Sequence, residues 1–478
     1  MSVETPAAAR LDRRPPAATE AVPAPPARPR RLRRLDIILA LAVFVTAIVP
    51  RAAWIAYNDR PPQGLNDPAL YMLFSEFIAD GKGYIRPPAD FPGAYTGPDD
   101  PNLASAGHEI AYYPVGYPAT VGALKKAGDI FGWGRSTFSV KMANGMFGAI
   151  TSVMVFLLAL RLFDRRVAVL AGVLHAVFPS QVYYTGTVLS EALFTMLWIG
   201  ALLALLWHPW KRDGTPWPQL FAVGLLLSAA TMTRGITLMF PVVLLVVWLF
   251  QLGSWKRALG QALIVWAGVA VFIVPWSVRN SLAFGTLVGP STNLGDDLCI
   301  GNYYGAQGAF TLQGKCFEGT EGLPPHEVEI ERNREGTKIA IKDVLNHPAR
   351  MPKLVAQKAY WLLYKDDDGI WAAESYGNDY FIPGFRREVL AFAANSIYYA
   401  TGLLVIAGGL AFALSRDWRR LIVILGLLYC LAVPLAFFGD PRFHFPAIPL
   451  AVVVAAWVIV SLWDRRGGPH PAASEALA

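Results

Sequence analysis

Charge is what this sequence lacks. Only 16% of its 478 residues are charged and 54% are hydrophobic, whereas an ordinary water-soluble chain carries about 25% charged residues. A solvent other than water accounts for the deficit. Cysteine is nearly missing as well, and three in the chain exclude a disulfide-rich secreted scaffold and a multi-cysteine iron–sulfur or zinc centre. The GxxxxGK[ST] and GxGxxG phosphate loops and the HExxH zinc signature are absent, which removes the common soluble nucleotide and metalloprotease sites. Internal repeats are not evident. The 42 basic and 35 acidic side chains give a net charge of +7, but the arginines sit in short clusters beside apolar runs. That placement is an orientation signal and not a nucleic-acid groove, so no nucleic-acid partner is expected.

What is present is a series of apolar runs. Residues 1–30 are mostly Ala, Pro and Arg, too poor in large apolar groups to fold, and read as a disordered tail. The RPRRLRRL cluster then leads into an uncleaved first span at 37–57. Further runs of spanning length lie at about 137–160, 167–186, 188–206, 258–276, 389–412, 420–438 and 445–463. Between 220 and 250 the only charge is Arg234. One helix there would be roughly 46 Å long, against a hydrocarbon core of about 30 Å. Both flanks are basic, with Lys211 and Arg212 before and Lys256 and Arg257 after, so two short helices meeting near 231–235 satisfy the charge rule where one would break it. The count is about ten spans. The loops at 161–166, 208–218, 251–257 and 416–420 carry an excess of Arg and Lys, which puts them and both termini in the cytoplasm. The opposite face receives two long segments, about 58–136 and 277–388, with acidic clusters at Asp99–Asp100, Asp296–Asp297 and Asp366–Asp368.

In the first outer segment, Asn66 or Asp67 can cap a helix that Gly81 and Gly83 end. Its apolar Leu70, Leu73, Phe74, Phe77 and Ile78 suit a helix lying along the membrane surface. The Pro- and Gly-rich stretch over 85–107 reads as an ordered loop or lid. The second segment holds a charged helix near 327–346 and the stretch PKLVAQKAYWLLY, whose Leu354, Ala359, Leu362 and Leu363 can dock on the bundle or the membrane. Together they form a small external cap. Cys299 and Cys316 lie here and Cys430 lies in a span. An oxidising outer face would allow the first two to pair, although spacing alone does not show that they meet.

Ionisable groups near or inside the spans need a reason. Glu191, Arg234, Arg279, Arg442 and Asp67 all map to the outer side. Glu191 could instead pair with Arg234 to hold helices together, Arg279 could be an interfacial anchor, and Asp440 could serve as a cap. His175 reads as a packed, hydrogen-bonded helix residue. His444, two positions after Arg442, could donate to a phosphate. The outer tyrosines Tyr71, Tyr112, Tyr113 and Tyr117 fit either interfacial anchors or a sugar and lipid platform.

The pieces NDPALYMLFSEFIADGKGY, YYPVGYP, TVLSEALF, TMTRGITLMFP, VPWSVRNSLAFG, STNLGDDLCIGN and GDPRFHFPAIP, in that order over about 35–463, resemble membrane glycosyltransferases of the GT-C superfamily, especially bacterial relatives of protein O-mannosyltransferases and lipid A aminoarabinose transferases. The resemblance implies an all-α polytopic membrane protein: a GT-C-like transmembrane helical bundle with outer surface helices and a small extracytoplasmic cap domain. It divides the chain into a basic cytoplasmic tail (1–34), a first bundle section (35–276) with an outer catalytic loop (58–136), an extracytoplasmic domain (277–388), a second bundle section (389–463) and a cytoplasmic tail (464–478). It implies an inverting transfer of a sugar from a polyprenyl-phosphate donor to a lipid, glycan or protein hydroxyl, on the periplasmic side of the inner (plasma) membrane. Asp67 matches the essential acidic position, although Asn66 and Pro68 stand where relatives carry a second acidic group. Glu191 matches the second acidic position, and Arg234 and Arg442 match the arginines expected at the donor phosphate, with Arg279 and His444 as further candidates. No compact ligand motif demands a cofactor, and a divalent metal is left open. The alternatives from other classes are a secondary transporter and an envelope polysaccharide polymerase or ligase. Paired broken spans would favour the transporter, and the sequence shows one break, at Arg234.

Overall fold

The computed structural model describes residues 32–64, 66–86, 107–208, 210, 214–311, 314–316, 323, 325–414 and 417–465. The tail over 1–31, the loop or lid over 87–106 with Asp99 and Asp100, Lys211, Arg212, Arg416 and the tail from 466 lie outside the described residues.

The regular structure is helical apart from two isolated bridges. The first apolar run forms α1 (Arg34–Tyr57). Outside it follow α2 (Asp67–Ala79) and α3 (Gly116–Phe131). Then come α4 (Thr137–Leu162), α5 (Arg165–Ala176), α6 (Pro179–Tyr183) and α7 (Glu191–Leu206). Next are α8 (Trp217–Thr233), α9 (Phe240–Leu252) and α10 (Trp255–Phe284). The outer segment contributes α11 (Leu294–Asn302), α12 (Pro325–Asn346), α13 (Met351–Leu363) and α14 (Asp368–Ala373). The chain closes with α15 (Gly384–Ala413), α16 (Trp418–Ala432), a tight turn at Pro441–Ala447 and α17 (Ile448–Arg465).

An apolar helix occupies each of the ten segments expected to cross. Among the described residues seven helices are long and apolar enough to span, and α5 with α6 forms an eighth candidate bent by 56°. The other two, α7 and α8, have 16 and 17 residues. The straight span expected at 167–186 is therefore corrected. Pro179 opens α6 and Phe178 before it is extended, as the residue preceding proline is pushed out of the helical region. The run over 220–250 divides at Arg234, which is extended at φ −151° between α8 and a 3₁₀ turn at Gly235–Met239. Helix α10 runs past the boundary expected at 276 and continues to Phe284. Its 30 residues make about 45 Å of helix, so one end stands clear of a core of about 30 Å.

The bundle packs around Phe156, Trp198, Leu202, Val223, Phe240 and Trp248. Backbones meet closely between α8 and α10. A Cβ on Gly224 would lie 2.3 Å from the Val265 carbonyl oxygen, and one on Gly268 2.6 Å from that of Phe221; small residues permit this approach between apolar helices. Outside the bundle, α2 buries Phe74 and Phe77 and packs against α3, where Gly122 meets Ser75 and Ile78. Helices α11 and α12 pack together, and Cys299 is joined to Cys316 beside them. Cys430 is free and buried. The docking face of α13 is Leu354, Lys358 and Leu362. Leu363, expected on that face, is exposed. Lys358 enters because its ammonium donates to Asn302 Oδ1 at 2.8 Å and to the Leu435 carbonyl.

Candidate functional site

The site begins at the start of α2. Asn66 is the cap, its side chain accepting from Ala69 N at 3.3 Å, and the next residue, Asp67, projects from the first turn. The tight turn before α17 begins at Pro441, and Asp440 caps it by accepting from Arg442 N at 2.9 Å. This fixes the direction of Arg442. Its Nη1 donates to Asp67 Oδ2 at 2.6 Å, and its Nε donates to Glu191 Oε1. Glu191 opens α7, and the same Oε1 accepts from Arg234 Nη1 at the break after α8. Arg234 also donates to Ser190 Oγ at 3.3 Å and lies over the Phe443 ring at 5.4 Å. Four of the six residues expected at the centre thus meet in one constellation of two carboxylates and two guanidiniums.

Two tyrosines complete it. Tyr113 donates its hydroxyl to Asp67 Oδ1 at 2.6 Å, and Tyr376 Oη lies 3.4 Å from Arg442 Nη1. Ser375 and Tyr376 are left-handed, at φ 52° and 56°, a conformation that costs about 1–3 kcal/mol per residue and persists only when surroundings enforce it. Here Gln63 N donates to Ser375 Oγ at 3.0 Å and Asn66 Nδ2 to the Ser375 carbonyl at 3.3 Å, tying the strained turn to the cap of α2.

Burial pushes the Asp67 carboxyl upward, but Arg442, the Tyr113 hydroxyl and Arg234 together hold it below the usual carboxylate range. Asp297 on α11 shows the opposite balance. Burial, with the nearby carboxylates Asp296 and Asp67, pushes it up to about 7. The constellation keeps unused donors. Among the described residues Arg442 Nη2 and Arg234 Nε and Nη2 make no hydrogen bond, although the two side chains are only 13% and 15% exposed. Among the described residues Glu191 Oε2 is also buried without a partner. A cavity of about 510 Å³ is walled by Gly116, Leu193, Met232, Thr233, Phe272 and Trp276. None of the four central charged residues lines it, although Leu193 is two residues from Glu191 and Thr233 precedes Arg234 in sequence.

The structure places the remaining candidates elsewhere. Arg279 donates to the carbonyls of Ile110 at 2.9 Å and Tyr84 at 3.0 Å, so it ties the outer loop to the end of α10. His444 is buried and turned away from Arg442, with Nδ1 at 2.7 Å from the Leu362 carbonyl and Nε2 at 2.8 Å from Asp366 Oδ1. A 3₁₀ turn rotates residues two apart toward different neighbours, which separates the pair. Tyr117 is packed against Tyr71 and bonded to Asn144. Tyr112 donates to Asp296 Oδ2 at 3.1 Å. Of the four tyrosines expected to form a platform, only Tyr113 bonds to the central charges. For a metal, the described residues contain no group of three or more His, Cys, Asp or Glu able to hold one, and both central carboxylates are already paired with guanidiniums, so the donor set does not fit.

The fold is that of the GT-C-like membrane glycosyltransferases, and the chain resembles enzymes of that class. A family model described as dolichyl-phosphate-mannose-protein mannosyltransferase matches residues 127–279, which include Glu191 and Arg234. The archaeal oligosaccharyltransferase AglB from Archaeoglobus fulgidus, in complex with an inhibitory peptide and a dolichol-phosphate, is similar at 15% identity and a TM-score of 0.50, covering 91% of this chain and 51% of that one. The same organism's oligosaccharyltransferase tethered to an acceptor peptide is similar at 14% identity and a TM-score of 0.52, covering 89% and 50%. The chain thus spans about half the length of these solved structures. ArnT from Cupriavidus metallidurans in the apo state matches at 16% identity and a TM-score of 0.36, covering 89% and 76%. No curated protein matches the chain.

Proposed function

We propose that this chain is an inverting glycosyltransferase of the inner membrane. It moves a sugar from a polyprenyl-phosphate donor to a hydroxyl of a lipid, glycan or protein on the extracytoplasmic side. The observation that carries this reading is the pair of arginines, with unused N–H groups, gathered with two carboxylates at one point of the bundle. Guanidinium forks suit a phosphate. The dolichol-phosphate bound by the archaeal relative of similar fold supports the same donor class.

In this reaction the acceptor oxygen attacks the anomeric carbon while the bond from that carbon to the phosphate oxygen breaks. The electron pair leaves with the phosphate, and Arg234 and Arg442 stabilise the charge that develops there. The hydroxyl proton passes to Asp67. Displacement from the face opposite the leaving group inverts the anomeric centre. The ten apolar helices are ten crossings in this reading, with both termini in the cytoplasm. The bend between α5 and α6 is a second broken span, so a lone break no longer counts against a transporter. What favours transfer is that the charged cluster gathers Glu191 at the start of α7 and Arg442 in the turn before α17 with Asp67 on the surface helix α2, Arg234 reaching it from the break after α8. Purified protein given polyprenyl-phosphate sugars and acceptor should release polyprenyl phosphate with a glycosylated product. Solute flux through proteoliposomes without that release would establish the transporter instead. Mass spectrometry of lipids and surface glycans from a deletion strain would identify sugar and acceptor.

A further inference from the structure

The two central arginines are already neutralised. Glu191 and Asp67 supply two negative charges to two positive ones, so an incoming phosphate meets a cluster without net charge and must displace one carboxylate from a guanidinium to gain a strong contact. The two carboxylates are held unequally. Glu191 is 1% exposed and its Oε1 accepts from both Arg234 and Arg442. The Asp67 side chain is 30% exposed, sits at the first residue of an outer helix, and is bound to one arginine only.

Asp67 also has a second partner that does not depend on Arg442. Tyr113 is anchored from behind by the outer segment. Ala111 N donates to Glu329 Oε1 at 2.9 Å and the Ala111 carbonyl accepts from Thr292 N at 2.9 Å. The ring of Tyr112 packs edge-on to Tyr113 at 4.8 Å, while its hydroxyl and Arg332 Nη2, at 2.6 Å, share Asp296 Oδ2. If Arg442 turns to another anion, the hydrogen bond from Tyr113 remains.

Resting on the polyprenyl-phosphate reading above, we infer that the donor phosphate and Asp67 compete for Arg442, so that donor binding releases the carboxylate for proton transfer, and that Tyr113 is the positioning residue that then holds it. While paired, Asp67 is a weak base, because the guanidinium stabilises its charged form. Once the phosphate occupies Arg442, Asp67 accepts the acceptor's hydroxyl proton as the new glycosidic bond forms and the bond to phosphate breaks. When the polyprenyl phosphate leaves, Asp67 gives that proton to water and pairs with Arg442 again. Donor before acceptor is the productive order.

The experiment is a titration of undecaprenyl phosphate into full-length protein in nanodiscs, for wild type, Asp67→Asn, Arg442→Ala and Tyr113→Phe, with unfolding temperatures confirming that each variant folds. Competition predicts that Asp67→Asn binds the lipid roughly two- to tenfold more tightly than wild type, the range set by a partly exposed ion pair, whereas Arg442→Ala binds it more weakly. Tyr113→Phe should keep wild-type lipid affinity and donor KM while kcat falls. If wild type and all variants fail to bind the lipid, the donor reading itself is overturned. If wild type binds and Arg442→Ala is weakened but Asp67→Asn is unchanged or weaker, the donor reading stands and the competition is overturned. A wild-type kcat in Tyr113→Phe overturns its positioning role, and rescue of a folding-impaired Tyr113→Ala by Tyr113→Phe in binding but not in kcat supports it.

Discussion

Two buried polar regions of this bundle are built from similar groups and differ in what they leave open. Between α4, α5 and α6, His175 sits between Ser152 Oγ at 2.8 Å and Gln181 Oε1 at 3.1 Å, and Gln181 donates to the Phe445 carbonyl at 3.1 Å. Arg51 beside it is fully buried and donates to the carbonyls of Ala47 at 2.8 Å and Ala176 at 2.7 Å. Ala176 is the last residue of α5, so this arginine places its charge at the negative end of a helix. Around Asp67 the arginines' partners are carboxylates. Among the described residues unused guanidinium donors occur in both regions, since Arg51 Nε and Nη2 also lack partners, but Arg51 is fully buried whereas the side chains of Arg442 and Arg234 are partly exposed. The first region fastens helices across a bend, whereas the second keeps charge available to a ligand.

The sharpest way to break this contrast is to remove the base. Asp67→Asn preserves size and leaves the Asn66 cap in place, and turnover at saturating substrates should fall by roughly 10²–10⁴-fold in a variant that still folds. A folded variant retaining more than about one tenth of wild-type turnover would reassign the base. Arg442→Ala comes next. Loss of a charged hydrogen-bonding partner, about 1.5–3 kcal/mol, should weaken donor affinity roughly 10- to 150-fold, together with turnover. On the other side of the comparison, Gln181→Ala should lower stability by about 1–3 kcal/mol, because His175 and the Phe445 carbonyl lose a buried partner. Its effect belongs in the unfolding temperature; a loss of donor affinity as large as that of Arg442→Ala would erase the distinction between the regions.

The smallest effect concerns Asp297. Its carboxyl is raised from the ordinary value of 3.8 to about 7, so between these limits the folded state binds more protons than the unfolded one. Stability contributed by this group therefore falls as pH rises from about 4 to about 7. Asp67, held low, works in the opposite sense: its contribution is present above its unfolded value and lost as pH falls through its folded one. Unfolding temperatures measured from pH 4 to 8 should show a decline toward neutrality that Asp297→Asn flattens. An unchanged slope would remove Asp297 from the electrostatics of the site.

Much of the fold was legible because apolar runs and basic loops report directly on the solvent each segment meets. The break at Arg234 could be placed for the same reason. The bend before Pro179 also had its signal in the sequence, but the apolar run continued through it and masked the interruption. Arg51 was visible as a charge inside the first span and its partner was not, since a carbonyl at the end of another helix carries no letter of its own. Tyr376 offered no signal at all. Its place beside Arg442 depends on a strained turn held by Gln63 and Asn66, which are 312 and 309 residues from Ser375. Asp297 lay within the run STNLGDDLCIGN, yet nothing there separated it from Asp296, which is taken up by Tyr112 and Arg332.

Sequence alone determined that this chain is a helical membrane protein and that Asp67, Glu191, Arg234 and Arg442 fall at the same side of it, because hydropathy and charge bias act on each segment separately. It could not decide which of those groups touch. Asp67 and Arg442 are 375 residues apart, and His444 is only two from Arg442, but the distant pair bonds while the near neighbour turns to Asp366. That choice belongs to the tertiary structure, since ion pairs and hydrogen bonds act over a few ångströms and depend on how caps, breaks and helix ends converge.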